Sequence, residues 1–239
     1  VTRAEDMDRI SGIYGQLRSQ LEGLFSTGLP NTPLHNVEIS VVAGNFVTAR
    51  PIGVLAGVDH LFTGRMRNLD TGRVNTLLDA GSIVLMSPMG YSSSGQAFNL
   101  AAEELAADVS VALNADKLIM LDELNHLTNS NGQRESTATP TSLQILIDAN
   151  KQISATTRLR LNTMIQAVRG GVTKAHIISF SEDGGVLQEL FTADGVGTQV
   201  LEETTGPVRP AKFEDVSDIV EIIRPLEETG ILVRRSRDR

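Results

Sequence analysis

Ser82-Ile83-Val84-Leu85-Met86, then Ser87 to Gln96, Asn99 to Leu113 and Lys117-Leu118-Ile119-Met120-Leu121 form the stretch that decides the fold. The first and last segments are short apolar runs suited to buried strands. Between them lie a loop with three consecutive serines and two glycines and then an Ala-rich segment with helical character. Strand, loop, helix and strand in that order define a parallel α/β unit whose crossover should be right-handed.

Similar signals extend outward on both sides. Upstream, Met7, Ile10, Ile13 or Tyr14, Leu17, Leu21 and Leu24 recur at helical intervals from about Glu5 to Phe25. Gly12, Gly15 and Gly23 each weaken that helix by up to ~1 kcal/mol relative to Ala. Pro30-Asn31-Thr32-Pro33 reads as a turn, Val37 to Val42 and Asn45 to Arg50 as strands. A helix is predicted over Asp70 to Ala80, capped by Asp70 or Thr71 and closed by Gly81. Downstream, Asn129 to Gly132 is a turn, and Thr141 to Gln152 and Thr157 to Val168 are helices, the second ended by Gly170-Gly171. Ala175 to Ser179 is a third buried strand. A short helix follows Gly184-Gly185 and ends at Phe191, and Gln199 to Leu201 closes the series. Glu202 to Pro207 has the polar, Gly-Pro-ended character of a linker. Beyond it come a strand over Val208 to Ala211, a helix from Asp215 to Thr229 that Pro225 would kink, and a basic tail. One strand, one helix and a tail cannot bury a core of their own. The chain is therefore expected to begin inside one domain and to stop soon after a second one starts.

The composition restricts the chemistry. In 239 residues, 41% are hydrophobic and 21% charged, ordinary for a globular protein. A formal charge of -8 and a pI near 5.0 argue against nucleic acid or an anionic membrane as the main partner. Without cysteine there is no disulfide, thiolate metal site or thiol nucleophile, and four histidines make a His-rich metal site improbable. No segment approaches the ~18 apolar residues that span a bilayer. The charged N-terminus is no signal peptide, so the cytoplasm is the default compartment.

Individual residues give weaker signals. The Ser87–Gln96 loop, between a strand and a helix N-terminus, is where an open α/β sheet would receive an anion, although no Lys follows its glycines as in a phosphate loop. A plain surface loop is the bland reading. Glu103, Glu104 and Asp108 read most simply as a solvated acidic turn, and His176, inside an apolar strand, as a hydrogen-bonded core residue. Glu189, set among Leu187, Gln188, Leu190 and Phe191, is a carboxylate flanked by apolar groups; if half buried it needs a cationic partner. Gly195-Val196-Gly197-Thr198 offers two backbone positions open to a turn or to close approach by a ligand.

Taken in order, these segments resemble a known fold. Phe98-Asn99-Leu100 with Glu103-Glu104-Leu105-Ala106, Asn114-Ala115-Asp116-Lys117-Leu118-Ile119, and Val168-Arg169-Gly170-Gly171-Val172-Thr173-Lys174-Ala175-His176-Ile177-Ile178 are similar to the second half of the amino-acid-kinase fold, as is Leu187 to Phe191 with Asp194 to Thr198. Val41 to Phe46, and Ile222-Ile223-Arg224-Pro225-Leu226-Glu227-Glu228 through Gly230 to Arg237, resemble the bacterial N-acetylglutamate synthase family.

The resemblance implies an amino-acid-kinase-like, carbamate-kinase-like domain over residues 1–203, a mostly parallel sheet flanked by helices and incomplete at its N-terminus. A linker over 204–207 and the start of a GNAT acetyltransferase domain over 208–239 would follow. It implies acetyl transfer from acetyl-CoA to the α-amino group of L-glutamate, the first step of arginine biosynthesis. Acetyl-CoA would be the co-substrate, with no metal, in a homo-oligomer. The kinase-like part would bind L-arginine, with Lys117 at the carboxylate, His176 contributing through its backbone, Glu189 facing the guanidinium or the amino group and Gly195 admitting the ligand to its backbone. Leu232 and Arg234 would lie at the glutamate-binding edge of the acetyltransferase, whose pyrophosphate loop falls beyond Arg239; the chain alone would be inactive. The kinases' Asn and Asp are replaced by Ala101 and Glu103, and Arg160 stands near their Lys, so phosphoryl transfer is not expected. The competing readings are a phosphotransferase of the same fold and a non-catalytic amino-acid-binding module.

Overall fold

The computed structural model describes residues 1–26, 39–123, 127–128, 134–149, 153–192 and 195–202, together with Lys212, Ile219 and Ile223. The elements are, in chain order, α1 (Ala4–Phe25), β1 (Val41–Ala43), β2 (Val47–Pro51), the small hairpin β3 (Val54–Leu55) and β4 (Val58–Asp59), β5 (Gly64–Leu69), α2 (Thr71–Asp79), β6 (Ile83–Leu85), β7 (Met89–Tyr91) and β8 (Ala97–Asn99). There follow α3 (Ala102–Ala112), β9 (Lys117–Asp122), β10 (Leu127–Thr128), β11 (Arg134–Glu135), β12 (Thr137–Ala138), α4 (Pro140–Ala149), α5 (Ala155–Arg169), β13 (Lys174–Ser179), α6 (Gly185–Phe191) and β14 (Thr198–Leu201).

The strand–helix–strand unit forms, with one correction. The Ser87–Gln96 segment is not a loop leading into a helix N-terminus: its first part is β7, paired antiparallel with β8. The serines occupy the turn of this hairpin, and α3 starts only at Ala102. Buried Phe98 and Leu100 alternate with half-buried Ala97 and Asn99, which suits a strand rather than the first turn of a helix. The anion site expected at that junction has no structural basis.

Four strands in the order β12-β14-β13-β9 make the sheet that carries the site. β9 runs parallel to β13 and β12 parallel to β14, whereas β13 and β14 are antiparallel. Its core holds Leu118, Met120, Ala175 and Ile177 from the strands, with Leu143 and Ile147 from α4 and Leu161, Met164, Ile165 and Val168 from α5. The α5 residues recur at the three- and four-residue intervals that define one helical face. Ser154 starts that helix, its hydroxyl accepting the Thr157 N–H at 3.0 Å. Complete burial of each large side chain is worth about 1.5–3 kcal/mol. A second core collects Phe46, Val47, Leu69, Val74, Phe98, Leu100 and Leu105 around a mixed sheet ordered β5-β2-β7-β8. β1 and β6 pair parallel.

Asp70 caps α2, its side chain accepting from the Arg73 N–H at 3.1 Å, as its position in the sequence predicts. α1 runs as one helix through its glycines. The chain divides into two compact units, Val1–Glu202 and Glu203–Arg239. The predicted turns at Pro30–Pro33 and Asn129–Gly132, the linker over 204–207, the strand over 208–211 and the basic tail lie outside the described residues. Of the helix predicted over 215–229, Ile219 and Ile223 are described and are helical.

Candidate functional site

A cavity of about 490 Å³ opens on the side of the sheet opposite α5. That volume lies within the range of small-molecule pockets. Side chains alternate across a strand: Ala175 and Ile177 face α5, so Lys174 and His176 face the cavity. Lys117, His176, Glu189 and Gly195, dispersed in the sequence, all line it.

Glu189 is its best-defined group. With 5% of its side chain exposed, it is far more buried than its apolar neighbours Leu187 and Phe191. Oε1 lies 2.8 Å from His176 Nδ1, and Oε2 accepts the N–H groups of Val196 and Gly197, each at 2.8 Å. An ionised carboxylate only accepts, so Nδ1 carries the proton that His176 donates. Burial pushes the Glu189 carboxyl up, but the hydrogen bond from His176 and the N–H groups of Gly197 and Val196 outweigh it. With the nearby imidazole, they hold the group below its ordinary value.

Four of the expected site residues have a place in the described structure. The His176 imidazole is engaged with Glu189 through Nδ1, and its Nε2 is buried with no hydrogen-bond partner among the described residues. Glu189 has a histidine and two backbone amides as partners. Gly195, at φ +53°, makes room for Glu189 itself: a Cβ there would overlap Oε2. Gly197 serves the same loop by lying against the Ile177 carbonyl. Lys117 is on the cavity wall and exposed. Leu232 and Arg234 lie outside the described residues. Lys174, Ser136, Thr137, Thr192 and Gln199 also line the cavity and were not singled out from sequence. Only strand register, which no local motif encodes, brings them together.

A second polar cluster lies at the C-terminal end of β9. The Arg160 guanidinium donates to Asp122 Oδ2 at 2.7 Å and to Glu103 Oε1 at 3.3 Å, while the Thr157 hydroxyl lies 3.3 Å from both Asp122 oxygens. Asp122 is 2% exposed. Its hydrogen bond is the largest influence raising the Arg160 pKa above its ordinary value, against the opposing effect of burial; Glu103 adds to it. The cation near the kinase lysine position is thus engaged by two carboxylates. Among the described residues, no group of three or more His, Cys, Asp or Glu could hold a metal ion, and no helix is long and apolar enough to cross a membrane.

The mostly parallel sheet of β9, β13, β14 and β12, backed by α4 and α5, is of the amino-acid-kinase type. The chain belongs to the amino acid kinase family, whose profile matches residues 11–179. Nearer relatives are amino-acid acetyltransferases: those of Aeromonas salmonicida, Escherichia coli and Pseudomonas fluorescens are 42%, 40% and 44% identical along 100% of this chain. The chain spans about half the length of these curated relatives, 54%, 54% and 55% respectively. Among solved structures, the N-acetylglutamate synthase of Neisseria gonorrhoeae complexed with coenzyme A and L-arginine is 34% identical, with a TM-score of 0.83. The same enzyme complexed with coenzyme A and N-acetyl-glutamate is 36% identical, with a TM-score of 0.76. Both alignments cover all of this chain, and 54% and 53% of those chains.

Proposed function

We propose that this chain is the amino-acid-kinase-like part of an N-acetylglutamate synthase and binds L-arginine as a regulator in the Glu189 cavity. The observation that carries the reading is 40–44% identity to amino-acid acetyltransferases along the entire chain. The cavity supports the regulatory part, since Lys117, His176, Glu189 and Gly195 all line it. Residues 1–203 form the kinase-like domain, 204–207 the linker and 208–239 the start of the acetyltransferase domain. There Leu232 and Arg234 sit at the glutamate-binding edge, with Arg234 pairing a substrate carboxylate. The working protein is a cytoplasmic homo-oligomer, and this chain alone is inactive.

In the reaction, the neutral α-amine of L-glutamate attacks the thioester carbonyl of acetyl-CoA. An N–C bond forms, the C–S bond breaks, the nitrogen loses a proton and coenzyme A leaves as the thiol. Binding holds the amine against the carbonyl and polarises it. Phosphoryl transfer is disfavoured because Arg160, instead of being free for phosphate, is held by Asp122 and Glu103. The test is coenzyme A release by the full-length protein from acetyl-CoA and L-glutamate, with and without L-arginine. Glutamate-dependent release that changes with arginine is expected; ATP-dependent phosphorylation without release would refute the proposal.

A further inference from the structure

Lys117 and Lys174 are in-register partners on the parallel strands β9 and β13. Partners in register project from the same face of a sheet, and both of these lysines line the cavity. Neither ammonium has a hydrogen-bond or ion-pair partner among the described residues. Two neighbouring like charges repel, and an anion between them offsets the repulsion. Glu189 does not provide it, because its oxygens are engaged by His176, Val196 and Gly197. His176, the residue that holds Glu189, is two residues along β13 from Lys174, about 6–7 Å at the usual strand rise. The cavity therefore has a doubly cationic end at Lys117 and Lys174, and a fixed carboxylate, Glu189, held beside His176.

We infer that Lys174 joins Lys117 in gripping the α-carboxylate of the ligand, which makes the cavity selective for intact cationic amino acids over their decarboxylated amines. This rests on the arginine reading above and adds to it a residue and a basis for selectivity.

Isothermal titration of the full-length protein with L-arginine and with agmatine, its decarboxylated analogue, tests the inference. The wild type is expected to bind arginine at least tenfold more tightly than agmatine. K174M should weaken arginine at least tenfold while leaving agmatine within about twofold, so that discrimination collapses; K174R should retain most of it. Because agmatine affinity reports on an intact cavity, a misfolded K174M is recognised by loss of both ligands, and K174R against wild type then decides. In that case unchanged arginine affinity and discrimination in K174R support a cationic requirement, and a K174Q variant that equals the wild type overturns it. If K174M binds both ligands as the wild type does, the carboxylate role is refuted while the arginine reading stands. If the wild type binds neither ligand, both fail together.

Discussion

Replacing Glu189 by alanine should destabilise the fold far more than its place on a short, exposed helix suggests. The substitution removes an acceptor of three hydrogen bonds, from His176 and the Val196 and Gly197 amides, all at 2.8 Å. Each donor left unsatisfied in a buried setting costs about 1–3 kcal/mol. Water can enter beside the exposed part of α6 and recover part of that, which leaves an expected loss of about 3–5 kcal/mol for E189A. E189Q keeps the shape and a neutral acceptor, so about 1–3 kcal/mol is expected, the difference between charge-assisted and neutral bonds. Urea denaturation of the chain and its variants, followed by far-UV circular dichroism, measures this directly; the midpoint should fall with little change in slope. The pH dependence gives a second signature. The Glu189 carboxyl is held below its ordinary value in the fold, so its contribution is fully present above the unfolded pKa, near 4.5. That contribution is lost as the pH falls through the lower folded value, and E189A should flatten this acid limb. A loss below about 1 kcal/mol, with an unchanged acid limb, would refute the assignment of Glu189 as the fastener of the α6–β14 loop.

R160M should cost about 3–5 kcal/mol, because it removes the guanidinium that lies 2.7 Å from the carboxylate of Asp122, 2% exposed. The double variant R160M/D122N should recover part of this in the same denaturation assay; equal destabilisation of the single and double variants would count against the pair. G197A should destabilise by about 1–3 kcal/mol or more, since its Cβ would overlap the Ile177 carbonyl oxygen and the Ile178 side chain. A thermal midpoint equal to wild type would show that the loop can move aside at no cost.

Some of this was legible locally. Val84-Leu85 and Leu118-Ile119-Met120 are apolar runs bounded by polar loops, and hydrophobic periodicity is a local property, so β6, β9 and β13 were expected close to where they occur. Asp70 was recognisable as a cap because it directly precedes a periodic run. The short strands β10, β11 and β12 were not foreseen. A two-residue strand exists only because a partner lies beside it: β12 pairs with β14, some sixty residues later in the chain. The β7–β8 hairpin was hidden for a related reason. Ser92 to Gln96 has loop composition, and the pairing of Met89 with Asn99 is what fixes the strands on either side.

The site divides along the same line. The sequence by itself determined which residues could take part: a carboxylate flanked by apolar residues at 189, a histidine inside an apolar strand at 176, glycines at 195 and 197, and no cysteine. Only the tertiary structure decided what each one does. It turned Glu189 toward His176 and two amides, gave the missing Cβ of Gly195 to that carboxylate, and set Lys174 beside Lys117. Side-chain chemistry is written residue by residue, whereas the partner of a buried charge is chosen by strand register and helix packing between segments far apart in the chain.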